Sequence, residues 1–257
     1  KYEVFMGLWI LIFTLMGLYL FGAFRFPHDA PKGSPISMGR RGFGLASILF
    51  AAYLCLGLTT DEQLGTYQAL SVMSGLAPST NYAIFKADKS TCPLRLDCFK
   101  DYEEGLAHAK ATKKPIMIDF TGYGCVNCRK MEEHVWPREG IFEKLRDDYV
   151  LISLYVDDRK KLDEPYISDF DGKKKRTVGN KWADFQAKNF DNISQPYYVL
   201  LSHDGEQLLT NPTGYPSEGT NDKKAKFFDG FLQCGLDAFY GKVCTDCKPK
   251  ELGMNDL

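Results

Sequence analysis

Residues 4–24 form an uninterrupted apolar run, VFMGLWILIFTLMGLYLFGAF, that contains no charged side chain. An α-helix rises about 1.5 Å per residue, so about 20 such residues span the hydrocarbon core of a bilayer, which is roughly 30 Å thick. A helix on the surface of a soluble protein would show a polar face, and this run shows none. The run therefore predicts a transmembrane helix rather than a buried helix of a soluble protein.

A second uncharged stretch, GFGLASILFAAYLCLGLTT at residues 42–60, is shorter and richer in small residues, and we interpret it as a second transmembrane helix. The loop between the two stretches is basic, and its charged side chains are Arg25, Asp29, Lys32, Arg40 and Arg41. Short loops rich in Lys and Arg stay in the cytoplasm. We therefore expect the chain after residue 60 to lie outside the cytoplasm, in an oxidising compartment.

Residues 61–96 are expected to be a linker or a segment at the membrane surface. Apolar side chains recur there at near-helical spacing, at Leu64, Tyr67, Leu70, Met73 and Leu76. This spacing fits a short amphipathic helix or a tether, and the sequence does not decide between them. Because the chain begins at Lys1 rather than at an initiator methionine, we expect it to be a piece of a longer protein.

From about residue 97 to residue 243 the pattern alternates between helices and buried strands. The predicted elements are a helix at 99–114, a strand at 115–120, a helix at 128–135, strands at 149–156 and 196–202, and a helix at 223–240. A charged insertion at 159–182 is expected to form a hairpin or flap. This order predicts a thioredoxin-like α/β domain, a central mixed sheet flanked by helices, with a C-terminal tail at 244–257.

The stretch FTGYGCVNCRK, residues 120–130, contains two cysteines separated by two residues. Cys125 follows a predicted strand and opens a predicted helix, so its sulfur would face unpaired N–H groups and the positive end of the helix dipole. This environment favours the thiolate, which is the form that attacks a disulfide. Cys128 lies one turn later, close enough to attack the resulting mixed disulfide and release the product.

Two other interpretations of this pair are a zinc site and two inert buried thiols. Zinc needs four ligands, and the histidines show no ligand spacing, while the second CxxC at Cys244 and Cys247 lacks the helix context. Gly122 and Gly124 beside Cys125 indicate an exposed rim where another backbone approaches. We therefore predict a redox pair with no metal and no cofactor.

Three further residues are candidates for the site. Asp119 lies within a predicted buried strand, where an isolated carboxylate is costly, and it would accept a proton behind Cys128 unless it turns out to solvent. Glu132 follows Cys128 by one helical turn and would raise the thiol pKa by like-charge repulsion, unless it lies on a solvated face. Pro196, if cis, would present backbone beside Cys125 to a partner strand; the alternative is an ordinary proline at a strand entry.

The two predicted spans, the basic loop and the motif DFTGYGCVNCRKMEEHVW at residues 119–136 resemble the C-terminal part of DsbD-type thiol:disulfide interchange proteins, in versions from Bacteroides-like bacteria. The likeness covers nearly the whole chain. It implies a protein of the bacterial inner membrane with its thioredoxin-like domain in the periplasm. One departure is Gly124, which stands where thioredoxins commonly carry Trp.

The resemblance also implies roles and partners. Cys125 would be the attacking thiolate, Cys128 the resolving thiol, Asp119 and Glu132 acidic modulators, and Pro196 the cis-proline. Electrons would come from cytoplasmic thioredoxin through an upstream transmembrane relay. Their acceptors would be disulfide-containing periplasmic proteins, among them those of cytochrome c maturation.

The remaining cysteines suggest structural roles. Cys92 and Cys98 bracket the entry to the domain and would form a local disulfide. Cys234 is expected to be a core side chain of the last helix, and Cys55 a small apolar thiol in lipid or at a helix contact. Cys244 and Cys247 would form either a second disulfide, which we favour, or a second redox pair.

The function expected from these observations is a membrane-anchored protein-disulfide reductase. A periplasmic disulfide oxidant or isomerase would use the same groups, and a non-catalytic binding module would use the same scaffold. The formal net charge is −1, which gives no electrostatic reason to expect nucleic acid as a partner.

Overall fold

The computed structural model describes residues 1–31, 34–60, 67–78, 80–85 and 92–242. It divides into two compact units, residues 1–89 and 90–257, which are described separately.

The first unit contains two helices, α1 (Tyr2–Leu20) and α2 (Met38–Leu56). Among the described residues, α1 is the one helix that is long and apolar enough to cross a membrane. In α2 the helix includes Arg40 and Arg41, which leaves an uncharged part at 42–56 of about 22 Å, short of a bilayer core of roughly 30 Å. The second predicted span is therefore not shown by this helix and stays a prediction.

The segment after α2 packs against α1 and forms no α-helix in its described part, where a short 3₁₀ helix lies at Thr80–Tyr82. Residues 67–78 form turns and an isolated bridge, so the spacing of apolar side chains there does not reflect an amphipathic helix. Tyr67, Leu70 and Met73 are buried in a cluster with Tyr2 and Met6 of α1. Leu64, which shares the predicted spacing, lies outside the described residues.

The second unit follows the predicted alternation of helices and strands. Its strands are β1 (Cys98–Phe99), β2 (Ile116–Thr121), β3 (Val150–Tyr155), β4 (Lys161–Ile167), β5 (Lys174–Thr177), β6 (Tyr197–Leu201) and β7 (Thr213–Gly214). Its helices are α3 (Tyr102–Thr112), α4 (Val126–His134), α5 (Ile141–Glu143), α6 (Val178–Phe190) and α7 (Asn221–Phe239). The predicted α/β fold is confirmed: a central mixed sheet is flanked by helices, as in thioredoxin-like domains.

The main sheet has five strands in the order β1-β3-β2-β6-β7. Strand β2 pairs with β3 in parallel and with β6 in antiparallel orientation, which places β2 inside the sheet. Every residue of β2 and β3 is buried, as expected for strands that are covered by helices on both faces. The carboxyl ends of β2 and β3 lie side by side, and the CxxC motif begins at this edge.

Apolar side chains fill both faces of the sheet. One face carries Ile116, Ile118 and Phe120 of β2 against Tyr102 of α3 and Trp182 of α6. Because side chains alternate along a strand, Met117 lies on the other face, where the cluster includes Met131, Trp136, Phe228 and Leu232 of the segments around α4 and α7. Asp119 lies two residues after Met117, so its side chain is on the same face of the sheet, the face that α4 covers.

The charged insertion at 159–182 contains an antiparallel hairpin of β4 and β5. A hairpin is one of the two forms that the sequence predicts for this insertion. The hairpin packs on α6 through Asp184, whose carboxylate accepts hydrogen bonds from Ser168 Oγ and Tyr166 Oη. Helix α6 begins at the end of β5, where the Thr177 side chain accepts a hydrogen bond from the N–H of Asn180.

Two glycines of α7 test how closely this helix packs on the sheet. A Cβ at Gly235 would overlap with the side chain of Leu200 and the hydroxyl of Tyr149, whereas a Cβ at Gly230 would meet nothing within 4 Å. We expect Gly235→Ala to lower the free energy of unfolding by about 1–3 kcal/mol through overpacking. Gly230→Ala should raise it by about 0.5–1 kcal/mol, because alanine is the better helix former. Urea titrations of the full chain in detergent measure both free energies of unfolding. Equal changes for the two variants would contradict the close packing of α7 on the sheet at Gly235.

Candidate functional site

The two cysteines of the CxxC motif stand at the start of α4. Cys125 is the N-cap residue of this helix, and its Sγ accepts a hydrogen bond of 3.1 Å from the N–H of Cys128. The two sulfurs are joined in a disulfide with an S–S distance of 2.00 Å. Cys128 is buried and Cys125 is partly exposed. An external thiol or disulfide therefore reaches Cys125 first, and Cys128 stays behind it.

Asp119 lies in the middle of β2, on the face that α4 covers, with Ser153 of β3 and Tyr198 of β6 as its register partners. Its exposed fraction is 1%, so the alternative that it turns out to solvent is wrong. Within the described residues its Oδ1 atom has no hydrogen-bond partner. Burial of this kind favours the protonated form of a carboxyl group.

Glu132 is also buried, so the alternative of a solvated helix face is wrong for this residue as well. Its carboxylate forms an ion pair of 2.5 Å with the guanidinium of Arg129, three residues earlier on α4. Arg129 is buried too, and it donates a second hydrogen bond of 3.2 Å to the carbonyl oxygen of Gly122. Helix α4 thus carries a buried ion pair directly beside the dithiol.

The guanidinium of Arg129, which forms an ion pair with Glu132, also acts on Asp119 through its positive charge. Burial raises the pKa of Asp119 to about 7, although the positive charge of Arg129 opposes this shift. Burial also raises the pKa of Glu132, again opposed by Arg129 and reinforced by the charge of Asp119. Because the charged form of each acid disfavours the other, the pair holds a proton near neutral pH. These two carboxyl groups can therefore accept or release one proton near neutral pH.

The peptide bond between Gln195 and Pro196 is cis. This agrees with the first of the two interpretations of Pro196, a cis proline rather than an ordinary proline at a strand entry. A cleft of about 490 Å³ opens beside Cys125, and Ile193 and Gln195 of the segment before Pro196 line it together with Asn127. The structure thus brings this segment next to the reactive sulfur. The role of Pro196 in presenting backbone to a partner stays a prediction.

Asp157 belongs to the site and was missed by the sequence analysis. It follows β3, and its carboxylate accepts hydrogen bonds of 2.8 Å from the backbone N–H groups of both Tyr123 and Gly124. Gly122 is buried against this carboxylate, so the expectation that it lies on an exposed rim is wrong. Gly124 is exposed, as expected. The available signal was an acidic residue at the end of the strand parallel to β2.

Of the four other cysteines that the structure describes, three are in disulfides. Cys92 and Cys98 form the expected local bridge. Cys234 is disulfide-bonded, so the expectation of a plain core side chain is wrong. Cys55 is free and exposed, and Cys244 and Cys247 lie outside the described residues.

A second cleft, of about 500 Å³, lies between α3 and α6, and Tyr102, Trp182 and Phe185 are among the residues that line it. No cysteine contributes to its lining. Over the described ranges, no cluster of His, Cys, Asp and Glu side chains is arranged to hold a metal ion.

Residues 102–228 match the family model of the thioredoxin-like domain. This segment contains the CxxC motif, Asp119, Glu132 and Pro196. No curated protein sequence matches the chain at a significant level.

Two solved structures are similar to this chain. One, titled DsbH oxidoreductase, shares 19% identity over 59% of this chain and 92% of its own, with a TM-score of 0.35. The other, a disulphide isomerase from Xylella fastidiosa Temecula1, shares 16% identity over 50% of this chain and 86% of its own, with a TM-score of 0.35.

The raised pKa of Asp119 makes stability depend on pH. In the unfolded chain this carboxyl ionises near pH 4, whereas in the fold it ionises near pH 7, so the wild type loses stability as the pH rises through this window. Asp119→Asn removes that loss. We expect the variant to match the wild type near pH 4 and to exceed it by about 2–4 kcal/mol above pH 7.

Urea titrations of the oxidised full chain at pH 4, 6 and 8 measure this difference. Asp163→Asn is the matched control, because Asp163 is an exposed carboxylate on β4. The control should show no comparable trend with pH. A stability difference for Asp119→Asn that is the same at pH 4 and pH 8 would contradict the account.

Proposed function

We propose that this chain is a membrane-anchored thiol–disulfide oxidoreductase that works as a protein-disulfide reductase through Cys125 and Cys128. The observation that carries the proposal is the position of Cys125: it caps a helix at the carboxyl edge of the sheet, partly exposed, with Cys128 buried one turn behind it. The N–H groups at this helix start stabilise a thiolate on Cys125.

The first step is an attack by the Cys125 thiolate on one sulfur of a partner's disulfide. A bond forms between Cys125 and that sulfur while the partner's own S–S bond breaks. The partner's other sulfur leaves as a thiolate and takes a proton from solvent. The cleft beside Cys125, with Ile193 and Gln195 on its wall, is where the partner's chain would lie.

The second step releases the partner. The Cys128 thiol passes its proton to the Asp119 carboxylate, and the new thiolate attacks the Cys125 sulfur. The Cys125–Cys128 disulfide forms while the mixed disulfide breaks, and the partner's remaining sulfur leaves as a thiolate. The partner has gained two electrons, and the dithiol has lost two. A pKa of about 7 suits Asp119 as a proton acceptor at neutral pH.

The buried acids favour the reducing direction. Asp119 and Glu132 place carboxyl groups behind the dithiol, and any negative charge there disfavours a thiolate. A dithiol whose thiolate is less stable gives up its electrons more readily, so the dithiol–disulfide couple has a lower reduction potential. An oxidant or isomerase would need the opposite balance, in which the thiolate is strongly stabilised.

The electron supply and the location follow from the resemblance to the C-terminal part of DsbD-type proteins. In this proposal α1 anchors the chain in the bacterial inner membrane, and the thioredoxin-like domain works in the periplasm. An upstream transmembrane relay, fed by cytoplasmic thioredoxin, reduces the Cys125–Cys128 disulfide. Disulfide-containing periplasmic proteins then receive the electrons. Support comes from the apolar α1 and from the match of residues 102–228 to the thioredoxin-like domain.

Replacing Cys128 should trap the first step. In a Cys55→Ser background, which removes the free exposed thiol, Cys128→Ala treated with glutathione disulfide should hold glutathione on Cys125 as a stable mixed disulfide. The parent chain should instead close its own disulfide and release the glutathione. Peptide mass spectrometry of the full chain in detergent locates the adduct.

The control is Cys125→Ala in the same Cys55→Ser background, which should gain little glutathione because Cys128 is buried. A non-catalytic binding module would leave Cys125 unmodified in the Cys128→Ala variant. That result would rule out the proposed exchange chemistry.

The potential of the Cys125–Cys128 couple decides between reductase and oxidant. We expect a value near or below about −270 mV, the range of cytosolic thioredoxin. Glu132→Gln should raise it by about 15–30 mV, since removing a carboxylate stabilises the thiolate form. Glu133→Gln, which changes the neighbouring and more exposed carboxylate, is the matched control and should change it less. Equilibration of the full chain with glutathione buffers measures all three, and a wild-type value near −120 mV would indicate an oxidant.

A further inference from the structure

The loop that leads into Cys125 is held by a carboxylate from a different part of the chain. Strands β2 and β3 run parallel, so the residues that follow them meet at one edge of the sheet. Asp157, after β3, accepts one 2.8 Å hydrogen bond from Tyr123 N–H on Oδ1 and another from Gly124 N–H on Oδ2. Hydrogen bonds of backbone N–H groups to an ionised carboxylate are stronger than those to neutral acceptors.

The shape of the loop fits this carboxylate closely. A Cβ at Gly122 would lie 3.0 Å from Asp157 Oδ2 and 3.1 Å from its Cγ, which is tighter than ordinary contacts allow. The backbone at Gly122 is not in the left-handed region, so the glycine is required for space rather than for its backbone conformation. Gly124 has no side chain with which to anchor the loop, and Asp157 binds its N–H instead.

Arg129 makes a further contact with the same loop. Its guanidinium donates to the carbonyl oxygen of Gly122 while it pairs with Glu132. The Tyr123 ring also stacks on Tyr155 of β3, with 4.3 Å between ring centroids. The loop before Cys125 is therefore held both by the carboxylate of Asp157 and by the guanidinium of Arg129.

We propose that Asp157 is a positioning residue for the dithiol: it fixes the Tyr123–Gly124 backbone that places Cys125 and keeps a negative charge beside that sulfur. This inference rests on the proposed redox function. Asp157 lines the cleft that Cys125 opens into, so its charge acts where the thiolate forms. Three further charged groups near the dithiol, Asp119, Arg129 and Glu132, are buried, whereas Asp157 is exposed.

The consequence for the chemistry has a definite sign. A negative charge beside Cys125 disfavours its thiolate and so favours the disulfide form. The relevant equilibrium is protein disulfide plus two glutathione thiols, giving protein dithiol plus glutathione disulfide. Removing the charge of Asp157 shifts this equilibrium toward the dithiol, by about three- to tenfold for two charges several ångströms apart near a protein surface.

The matched control is Asp158, the next residue. Its carboxylate accepts a hydrogen bond from the N–H of Lys160 and contacts neither Tyr123 N–H nor Gly124 N–H in the structure as described. Asp157→Asn and Asp158→Asn change the net charge of the full chain equally. We expect the glutathione equilibrium of the first variant to shift by about three- to tenfold and that of the second by less than about twofold. Equal shifts would overturn the specific role of Asp157.

Amide hydrogen exchange gives a readout that does not depend on redox activity. In the oxidised full chain, the Tyr123 and Gly124 amides should be protected, and Asp157→Ala should accelerate their exchange by about tenfold or more. Asp158→Ala should leave them unchanged. If Tyr123 and Gly124 exchange equally fast in the wild type and in Asp157→Ala, the proposed positioning role is wrong. Asp157→Asn keeps the side-chain shape and provides the same test if Asp157→Ala does not fold.

A double-variant cycle tests the close packing at Gly122. Gly122→Ala should slow the reaction of the reduced dithiol with glutathione disulfide, because the new methyl group displaces the Asp157 carboxylate. In an Asp157→Ala background the same change should have little further effect. Additive effects would contradict the coupling. Failure of the wild type to react with glutathione disulfide would instead count against the proposed function, and the amide exchange result would still stand on its own.

Discussion

The position of Cys125 at the start of α4 is the constraint on which the rest of the site depends. Strand β2 is buried on both faces, and it ends at the edge of the sheet where a short loop leads directly into the helix. The first N–H groups of a helix have no partner within it, so a sulfur at the cap position gains them as donors. Cys128 follows one turn later in the same helix and is buried.

The site is built at some expense to stability. Two carboxyl groups and one guanidinium are buried between β2 and α4, and Oδ1 of Asp119 and Oε1 of Glu132 have no hydrogen-bond partner among the described residues. Burial of such groups lowers the stability of the fold, because their charged forms are disfavoured, and a protein retains them where they have a chemical use. The use proposed for Asp119 is that of a proton acceptor for Cys128. Departures from good packing are expected at functional sites for this reason.

The local hydrophobic pattern predicted the strands and helices of the core, and the CxxC motif predicted the position of the two cysteines at the start of a helix. Buried strands, helices and the CxxC between them depend on short stretches of chain, and the structure has them within a few residues of the predicted bounds. Contacts between distant residues could not be predicted this way. Asp157 accepts hydrogen bonds from N–H groups more than 30 residues earlier, and the burial of Glu132, which the sequence leaves open, depends on the segments that pack against α4. Only the fold brings these groups together.

The most direct test of the account is the order in which the two sulfurs of the reduced chain react with a limiting amount of iodoacetamide at neutral pH. Peptide mass spectrometry identifies the alkylated residue. If Cys125 is the accessible nucleophile at the helix start, it is modified first and Cys128 remains free. Modification of Cys128 first, or of both residues at the same rate, would contradict the assignment.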